Sequence, residues 1–269
     1  MKIKLIFIFL IPIFYSSQNK IDNIEVYYNY TKDYTDSISY PSKLTINNDV
    51  VKFDIFFSNV GDDIDSIQKN VQKYIAKGKS LIIKGNDNVF YKKYNSSDFY
   101  FTKSIYLNIE YIHEDSLNYK WELGTKFKKI LGYNCQNATV KYKDRFWEVY
   151  FTKDIPISAG PWKFFGLYGL ILEAKSSDDV YSFIAQKITI NKPILSNNFE
   201  EYNRFIKNKF MTWDEYVKFA NQKIINKNKK MQSDYYSGDG DTYISDIETI
   251  ENEYNITIKE FQKKYGLVE

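Results

Sequence analysis

Hydrophobic and polar residues alternate near the start of the chain, which is the pattern of a strand with one buried face. Ile24, Val26 and Tyr28 are separated by Glu25 and Tyr27. Successive side chains of a strand point to opposite faces of a sheet. The alternation therefore predicts a half-buried β-strand.

Similar runs recur up to about residue 190, and turn-forming residues separate them. Asn, Asp, Gly and Ser fill many of the gaps, and these residues favour the tight turns that join antiparallel strands. The predicted strands and hairpins are 44–46 with 50–57, 80–84 with 88–94, 98–108, 116–123, 136–142 with 146–152, and 170–174 with 180–190. Strands joined in this order predict a curved antiparallel meander sheet, either a half-barrel or an open barrel.

Helical patterns occur in two parts of the chain. Apolar residues recur every three or four positions over 62–78, which predicts one early helix. Later, capping-box pairs that can satisfy the first amides of a helix occur at Asn198 with Glu201, Thr212 with Glu215, and Ser245 with Glu248. Gly and Asp residues make 232–242 a predicted connector. We expect a mainly β (α+β) fold with C-terminal helices, one of which lies across the concave face of the sheet.

The first residues have the composition of a secretory signal peptide. Lys2 and Lys4 precede the apolar run 5–15, and Ser16 and Ser17 follow it. Eleven helical residues span about 16 Å, which is less than the ~30 Å hydrocarbon core of a bilayer. We predict cleavage near residue 17 or 18, with a retained membrane tether as the alternative. The predicted organisation is a signal peptide at 1–17, a β-rich domain at 18–195 and a helical extension at 196–269.

Composition narrows the function classes. The formal charge of +3 becomes 3 − 2 = +1 without the two leader lysines, so a strongly basic nucleic-acid binder is excluded. A single Cys excludes an internal disulfide, and a single His excludes a site with two imidazoles. Export without paired cysteines indicates a bacterial compartment. We therefore predict a periplasmic or cell-envelope protein with no transmembrane span after cleavage.

One ordered succession of motifs carries a resemblance to a known family. It comprises 128–138, 150–157 and a glycine-rich stretch over 160–174. The succession resembles the GLPGLI family of exported Bacteroidetes proteins. The family's signature run stands here as Gly166-Leu167-Tyr168-Gly169-Leu170-Ile171, with Tyr168 in place of the proline, and Gly160-Pro161-Trp162-Lys163 precedes it.

The resemblance implies an exported β-rich protein of a family with no established activity. It also implies kinship with a module that forms an N-terminal, non-catalytic part of some bacterial glycan-processing enzymes. Physically, Gly166 and Gly169 allow backbone conformations or close approaches that other residues do not. We predict that the motif (Gly160, Pro161, Trp162, Gly166, Leu167, Tyr168, Gly169, Leu170 and Ile171) is a structural plug on an apolar surface, with a ligand-contact loop as the alternative.

Residues suited to catalysis are few. Cys135 is predicted to be a buried small hydrophobe, and His113 to be solvated or paired with a carboxylate. Glu148 and Glu173 flank the signature hairpin and are the best available pair for glycoside hydrolysis, although nothing singles them out. The Asp239-Gly240-Asp241 turn lacks EF-hand spacing. We predict no catalytic residue, no metal and no cofactor.

Aromatic residues are unusually frequent, at 18% of the chain. They can serve cross-strand packing, or they can form a concave apolar face that holds a lipid, a glycan or a peptide. The preferred hypothesis is a periplasmic binding or accessory module for an apolar or glycan ligand, or for an envelope protein. The alternative is a cell-envelope hydrolase that uses an unidentified carboxylate pair.

Overall fold

The computed structural model describes residues 23–33, 37–47, 49–56, 88–105, 108–115, 117–142, 145–192, 198–220, 222–223 and 226. The predicted signal peptide at 1–17, the helix over 62–78, the strand 80–84, the connector 232–242 and the helix after Ser245 lie outside the described residues.

Twelve strands of the described residues form a single sheet. They are β1 (Asn23–Asp33), β2 (Ser37–Asn47), β3 (Val50–Ile55), β4 (Asn88–Lys93), β5 (Phe99–Ile105), β6 (Asn108–Glu114), β7 (Glu122–Ile130), β8 (Tyr133–Tyr142), β9 (Arg145–Thr152), β10 (Leu170–Ser176), β11 (Tyr181–Ile190) and β12 (Met211–Thr212). Helix α1 spans Asn198–Phe205, and helix α2 covers 213–220, with 222–223 and 226 also helical.

Two meanders meet at the middle of this sheet. The spatial order is β12-β6-β5-β4-β3-β2-β1-β11-β10-β9-β8-β7, so β1 to β6 are consecutive neighbours and β7 to β11 are consecutive neighbours. β1 joins the two meanders by pairing antiparallel with β11. Only the short β12 runs parallel to its neighbour, β6. The predicted mainly β fold with a curved meander sheet is confirmed, and the sheet remains open.

The connection between β6 and β7 requires strong curvature. These strands are ten neighbour positions apart, which would be about 48 Å in a flat sheet. The chain between Glu114 and Glu122 can span only about 28 Å when fully extended. The sheet must therefore bend so that its two sides approach each other.

The two faces of the curved sheet carry different residues. The inner face holds the main apolar core, which includes Val26, Phe53 and Val149. Helix α2 packs on this face through Tyr216 and Ala220, as expected for a helix on the concave side.

Helix α1 packs on the outer face instead. Tyr202 packs against Val50 and Tyr91. Glu201 accepts hydrogen bonds from Lys52 Nζ at 3.0 Å and from the Tyr91 hydroxyl at 3.2 Å. Burial lowers the pKa of Lys52, but the neighbouring Asp54, Tyr91 and Glu201 together raise it by a larger amount. The pKa of Lys52 therefore lies well above its ordinary value. Charge pairing therefore holds α1 on the sheet.

Several predicted strand limits were wrong. Residues 117–121 are not a strand, and β7 begins only at Glu122. Of the predicted strand 98–108, Phe99–Ile105 form β5, and Asn108 is the first residue of the next strand, β6. Strand β4 pairs with β3 and β5. β7 escaped prediction because most of its residues are exposed on both faces and its sequence does not alternate.

Candidate functional site

The segment that connects β9 to β10 lies on the inner face of the sheet. This segment, residues 153–169, is called the plug segment below. Its residues Trp162 and Phe164 are buried, and their rings lie 5.7 Å and 5.0 Å from the ring of Trp147 on β9. The backbone of Ala159 pairs in parallel with Leu170, and Ile171 N donates to Ala159 O at 2.9 Å. Aromatic packing and backbone pairing thus attach the plug segment to the core.

The nine motif residues fall into three groups. Pro161, Trp162, Leu167, Leu170 and Ile171 are buried, whereas Gly166 is exposed and Tyr168 is 73% exposed. Gly160 and Gly169 are close to neighbouring atoms.

These two glycines leave no space for a side chain. A Cβ at Gly160 would lie 2.8 Å from Cβ of Ile171, and one at Gly169 would lie 2.2 Å from the backbone oxygen of Thr152. Gly169 also has a φ of 155°, and Gly166 has a φ of 96°. Each glycine is therefore required by a close approach or by a positive φ.

A buried ion pair links the plug segment to the sheet. Lys163 is fully buried, and its Nζ lies 2.8 Å from Oε2 of Glu114 at the end of β6. The Tyr142 hydroxyl on β8 donates to Glu114 Oε1 at 3.1 Å. The Lys163 ammonium also lies 3.9 Å from the centre of the Phe101 ring. Sequence reasoning missed this pair because its members are 49 positions apart.

Residues 117–121, called the strap below, cross the inner face between the sides of the sheet. The Tyr119 hydroxyl donates to Lys163 O at 3.2 Å, and Trp121 Nε1 donates to Phe165 O at 2.8 Å. Their side chains pack against the main core. The strap therefore holds the plug segment from the solvent side.

A small cavity remains beside the plug segment. The cavity has a volume of about 20 Å³, which is room for one or two water molecules. Its lining is mostly aromatic and contains no carboxylate among the described residues: Tyr30, Ile55, Asn88, Phe90, Lys103, Trp147, Trp162, Tyr181 and Phe183.

One residue of the cavity lining has a buried hydrogen-bond donor without an acceptor among the described residues. Trp147 is 2% exposed, and its Nε1 has no hydrogen-bond partner within the described part of the chain. Lys103 is equally buried and extends into the same wall from β5. The inner face thus combines aromatic surface with hydrogen-bond donors.

The two carboxylates considered for hydrolysis lie on the outer face. Glu148 is 3.1 Å from Lys126 Nζ, and Glu173 is 2.6 Å from Lys128 Nζ. A hydrogen bond from Asn137 and the charge of Lys126 lower the pKa of Glu148. A general acid for glycoside hydrolysis needs a raised pKa, so Glu148 is tuned in the opposite direction.

Cys135 and His113 occupy structural positions. Cys135 is fully buried, and burial raises the pKa of its thiol to about 11. The His113 ring stacks on Tyr100 with 4.5 Å between ring centres. Within the described ranges, no group of three or more His, Cys, Asp or Glu side chains could hold a metal ion.

Burial perturbs one lysine near the plug segment. Lys92 on β4 is 2% exposed, and burial lowers its pKa to about 8. Its Nζ donates to Tyr94 O at 2.8 Å and lies 4.6 Å from the centre of the Phe165 ring. These contacts position the edge of the plug segment.

None of the helices in the described ranges has the length and apolar character needed to cross a membrane.

A family comparison covers most of the sheet. The model of the family described as N-glycanase peptide, N-terminal domain, matches residues 39–212. These residues include most of β2, all of β3 to β12, the strap, the plug segment and helix α1. No curated protein matches the chain.

Solved structures show weaker likeness. PNGF-II in its C2 crystal form is 16% identical, with a TM-score of 0.42, and the match covers 71% of this chain and 30% of PNGF-II. MucB in complex with MucA(peri) is 11% identical over 65% of this chain and 54% of MucB, with a TM-score of 0.33. A DUF1329 family protein from Desulfovibrio piger ATCC 29098 is 8% identical over 70% of this chain and 92% of that protein, with a TM-score of 0.32. The chain thus spans about a third of the PNGF-II length.

Proposed function

Because the chain belongs to the family of N-glycanase peptide N-terminal domains, we propose that it is a non-catalytic binding or accessory module. The observation that carries this proposal is the inner face, where an aromatic cavity contains hydrogen-bond donors but no carboxylate among its described lining residues. Pockets with aromatic walls and a few polar groups are typical of ligand sites.

The ligand that we propose is an apolar or glycan molecule, or a segment of an envelope protein. The rings of Trp147, Trp162 and Tyr181 meet at the cavity, and aromatic faces contact both apolar chains and sugar rings well. The cavity itself admits only a small group, so the body of the ligand would lie outside its mouth.

For the signature motif we keep the role of a structural plug. The burial of Trp162 and Leu167 and the close approaches at Gly160 and Gly169 support this role. The exposed Tyr168 supports the alternative of a ligand-contact loop. The resemblance to the GLPGLI family rests on the motif residues alone, and we propose that the two families share this plugged sheet.

We also propose that the protein is exported to the periplasm or the cell envelope. The basic and apolar leader at 1–17 supports export. The domain would then comprise 18–195, with 196–269 as an extension whose first two helices pack on opposite faces of the sheet.

Native mass spectrometry of the protein purified from its own envelope tests the proposal. We expect a bound lipid, glycan or peptide that is released when the protein is denatured. The Tyr168→Ala variant separates the two roles of the motif, because it removes an exposed ring and leaves the core intact. Retention of the ligand supports the plug, and loss of the ligand with an unchanged melting temperature supports the contact loop.

An assay for hydrolysis tests the alternative function, that of a cell-envelope hydrolase. The purified protein is incubated with envelope glycans and glycopeptides, and the products are analysed by mass spectrometry. Turnover that is lost in Glu148→Gln or Glu173→Gln would overturn the non-catalytic assignment. Absence of any bound molecule on the protein purified from its own envelope would overturn the binding module.

A further inference from the structure

We propose that strand β7 binds an extended acidic segment of a protein partner as an additional strand of the sheet. The proposal rests on the proposed binding function and selects an envelope protein as the ligand. Within the described residues, β7 pairs only with β8, so it forms one edge of the sheet. An edge strand carries unpaired backbone donors and acceptors that an extended peptide can occupy.

The hairpin of β7 with β8 determines which backbone groups of β7 are unpaired. Its turn consists of Leu131 and Gly132, with φ values of 51° and 87°. The residues on either side of such a two-residue turn form a hydrogen-bonded pair, and the two kinds of pair alternate along an antiparallel ladder. Lys128 therefore bonds to β8, whereas the N–H and C=O groups of Phe127 and Lys129 point away from it.

A bulge limits this open stretch at its other end. Residues 124–126 stand opposite Asn137, and Lys126 N donates to Asn137 Oδ1 at 2.9 Å. Gln136 Nε2 donates to Gly124 O at 2.7 Å. Two backbone groups of the bulge thus have partners on β8, and the stretch available to a peptide begins after the bulge.

Phe127 and Lys129 also provide the side chains that an added strand would meet. Phe127 lies opposite Gln136, which lies opposite the core residue Phe151, so Phe127 is on the inner face. Its side chain is nevertheless 69% exposed. Lys129 lies two positions further along the same face and is exposed. An added strand would therefore place one side chain beside Phe127 and another beside Lys129.

The charges of β7 indicate an acidic partner. The strand contains three lysines and one glutamate. Two of the lysines pair with glutamates on the outer face, whereas Lys129 has no ion-pair partner among the described residues. Like charges opposite each other destabilise a sheet, so these lysines disfavour pairing with a second copy of β7. A segment with a carboxylate two positions from an apolar residue matches Lys129 and Phe127.

The proposal is tested by titration of the full-length protein with short fluorescent peptides, followed by fluorescence polarisation. The acidic probe is acetyl-Thr-Glu-Thr-Val-Thr-amide with a neutral fluorophore at its C-terminus. One control probe has Lys in place of Glu. A second control probe carries N-methyl groups on the amides of Glu and Val, so these amides can no longer donate to the edge of the sheet.

We expect the acidic probe to bind and to protect the amides of Phe127 and Lys129 against hydrogen exchange. The lysine probe should bind about threefold or more weakly, because its charge repels Lys129. The N-methylated probe should bind about tenfold or more weakly, because it loses backbone hydrogen bonds.

Two variants with matched controls locate the site. Phe127→Thr should weaken binding of the acidic probe about threefold or more, whereas Phe146→Thr, at an exposed phenylalanine of β9, should leave it unchanged. Lys129→Glu should reverse the preference between the acidic and lysine probes, whereas Lys218→Glu, at an exposed lysine of α2, should not. Melting curves check the folding of each variant. Lys129→Gln, which should abolish the preference, replaces Lys129→Glu if that variant does not fold.

Four results would overturn the proposal. They are equal binding of the acidic and lysine probes, unchanged binding of the N-methylated probe, no binding of any probe, and a dimer that Phe127→Thr dissociates. The dimer, measured by analytical ultracentrifugation, would show that a second copy occupies β7. If the envelope-purified protein carries a lipid or a glycan in these cases, the binding function stands and only the assignment of β7 fails. If it carries no molecule and binds no probe, the binding function fails as well.

Discussion

Single residues decide how closely the plug segment can approach the sheet. Gly169 is the strictest position, because a Cβ there would lie 2.2 Å from the backbone oxygen of Thr152. A backbone atom in a paired strand cannot move aside easily. The identity of this glycine was apparent from the motif, but the atom that requires it became evident only from the packing of β9 against β10.

We expect Gly169→Ala to lower the free energy of unfolding by about 2–4 kcal/mol, because the clash adds to the strain of its positive φ. The measurement is urea unfolding followed by circular dichroism. Gly132→Ala is the control, since Gly132 also has a positive φ but no atom within 4 Å of a Cβ. It should cost about 1–2 kcal/mol. Equal losses in both variants would contradict the close-approach explanation.

The buried charge at Lys163 is the second residue-scale determinant. Lys163→Met leaves Glu114 buried without its ammonium partner, so we expect a loss of about 3–5 kcal/mol in the free energy of unfolding. The double variant Lys163→Met with Glu114→Met removes both charges and should recover most of the loss. A single variant that is as stable as the natural protein would show that the pair contributes nothing.

The thiol of Cys135 gives a pH-dependent prediction. With a pKa of about 11, about a thousandth of the thiol is ionised near pH 8. Its reaction with Ellman's reagent should therefore be slow, rise about tenfold per pH unit, and become rapid in concentrated urea. Unfolded Cys ionises at lower pH, so this group makes the folded state less stable as pH rises from about 9 to about 11. Rapid labelling of the native protein at neutral pH would contradict the burial.

At the scale of elements, the sequence predicted best where local rules operate. The alternation of β1, the hairpin of β2 with β3, and the cap of α2 were recognised because neighbouring residues determine them. In that cap, Glu215 N donates to Thr212 Oγ1 at 3.2 Å, and Thr212 N donates to Glu215 Oε2 at 2.8 Å. The capping box predicted at Thr212 is confirmed.

Elements that depend on distant contacts were not predictable in the same way. The strap is apolar enough to resemble a strand, but its position is set by hydrogen bonds from Tyr119 and Trp121 to the plug segment. At Asn198, the residues of the predicted capping pair contact the sheet: Asn198 Nδ2 donates to Thr45 O at 3.3 Å, and Glu201 binds Lys52. Only the folded arrangement reveals these partners.

Thr212→Ala should weaken the start of α2 and lower the free energy of unfolding by about 1 kcal/mol. Lys218→Ala, an exposed change on the same helix, is the control and should be nearly neutral. Hydrogen bonds from Thr212 lower the pKa of Glu215 in the folded state. The stabilisation of the folded state by Glu215 is therefore present above the pKa of an unfolded Glu and is lost as the pH falls through the lowered pKa. A Thr212→Ala variant with unchanged stability would show that the cap does not contribute.

At the scale of the whole molecule, the two meanders share one core. The Tyr28 hydroxyl on β1 donates to Ile171 O on β10 at 2.6 Å, and Tyr30 stacks on Phe183 with 4.7 Å between ring centres. The curved sheet could be predicted from the succession of hairpins. The junction of β1 with β11 could not, because strands about 160 residues apart leave no local signal.

A shared core predicts cooperative unfolding. We expect the urea transitions measured by far-ultraviolet circular dichroism and by tryptophan fluorescence to coincide. Circular dichroism reports on all strands, whereas three of the four tryptophans (Trp121, Trp147 and Trp162) lie in the second meander, the strap and the plug segment. The fourth, Trp213, packs against Phe101 of the first meander and is replaced by Phe for this measurement. Two separated transitions would show that the meanders unfold independently.

The strap is a short direct connection between the two sides of the curved sheet. Because seven residues separate β6 from β7, the length of this connection limits how far the sides of the sheet can open. A longer connection would permit a wider opening between the two edges of the sheet and a larger space on the inner face, and a shorter connection would draw the two edges together. We expect relatives to accommodate ligands of different size by adding or deleting residues in this one connection, without any change in a strand.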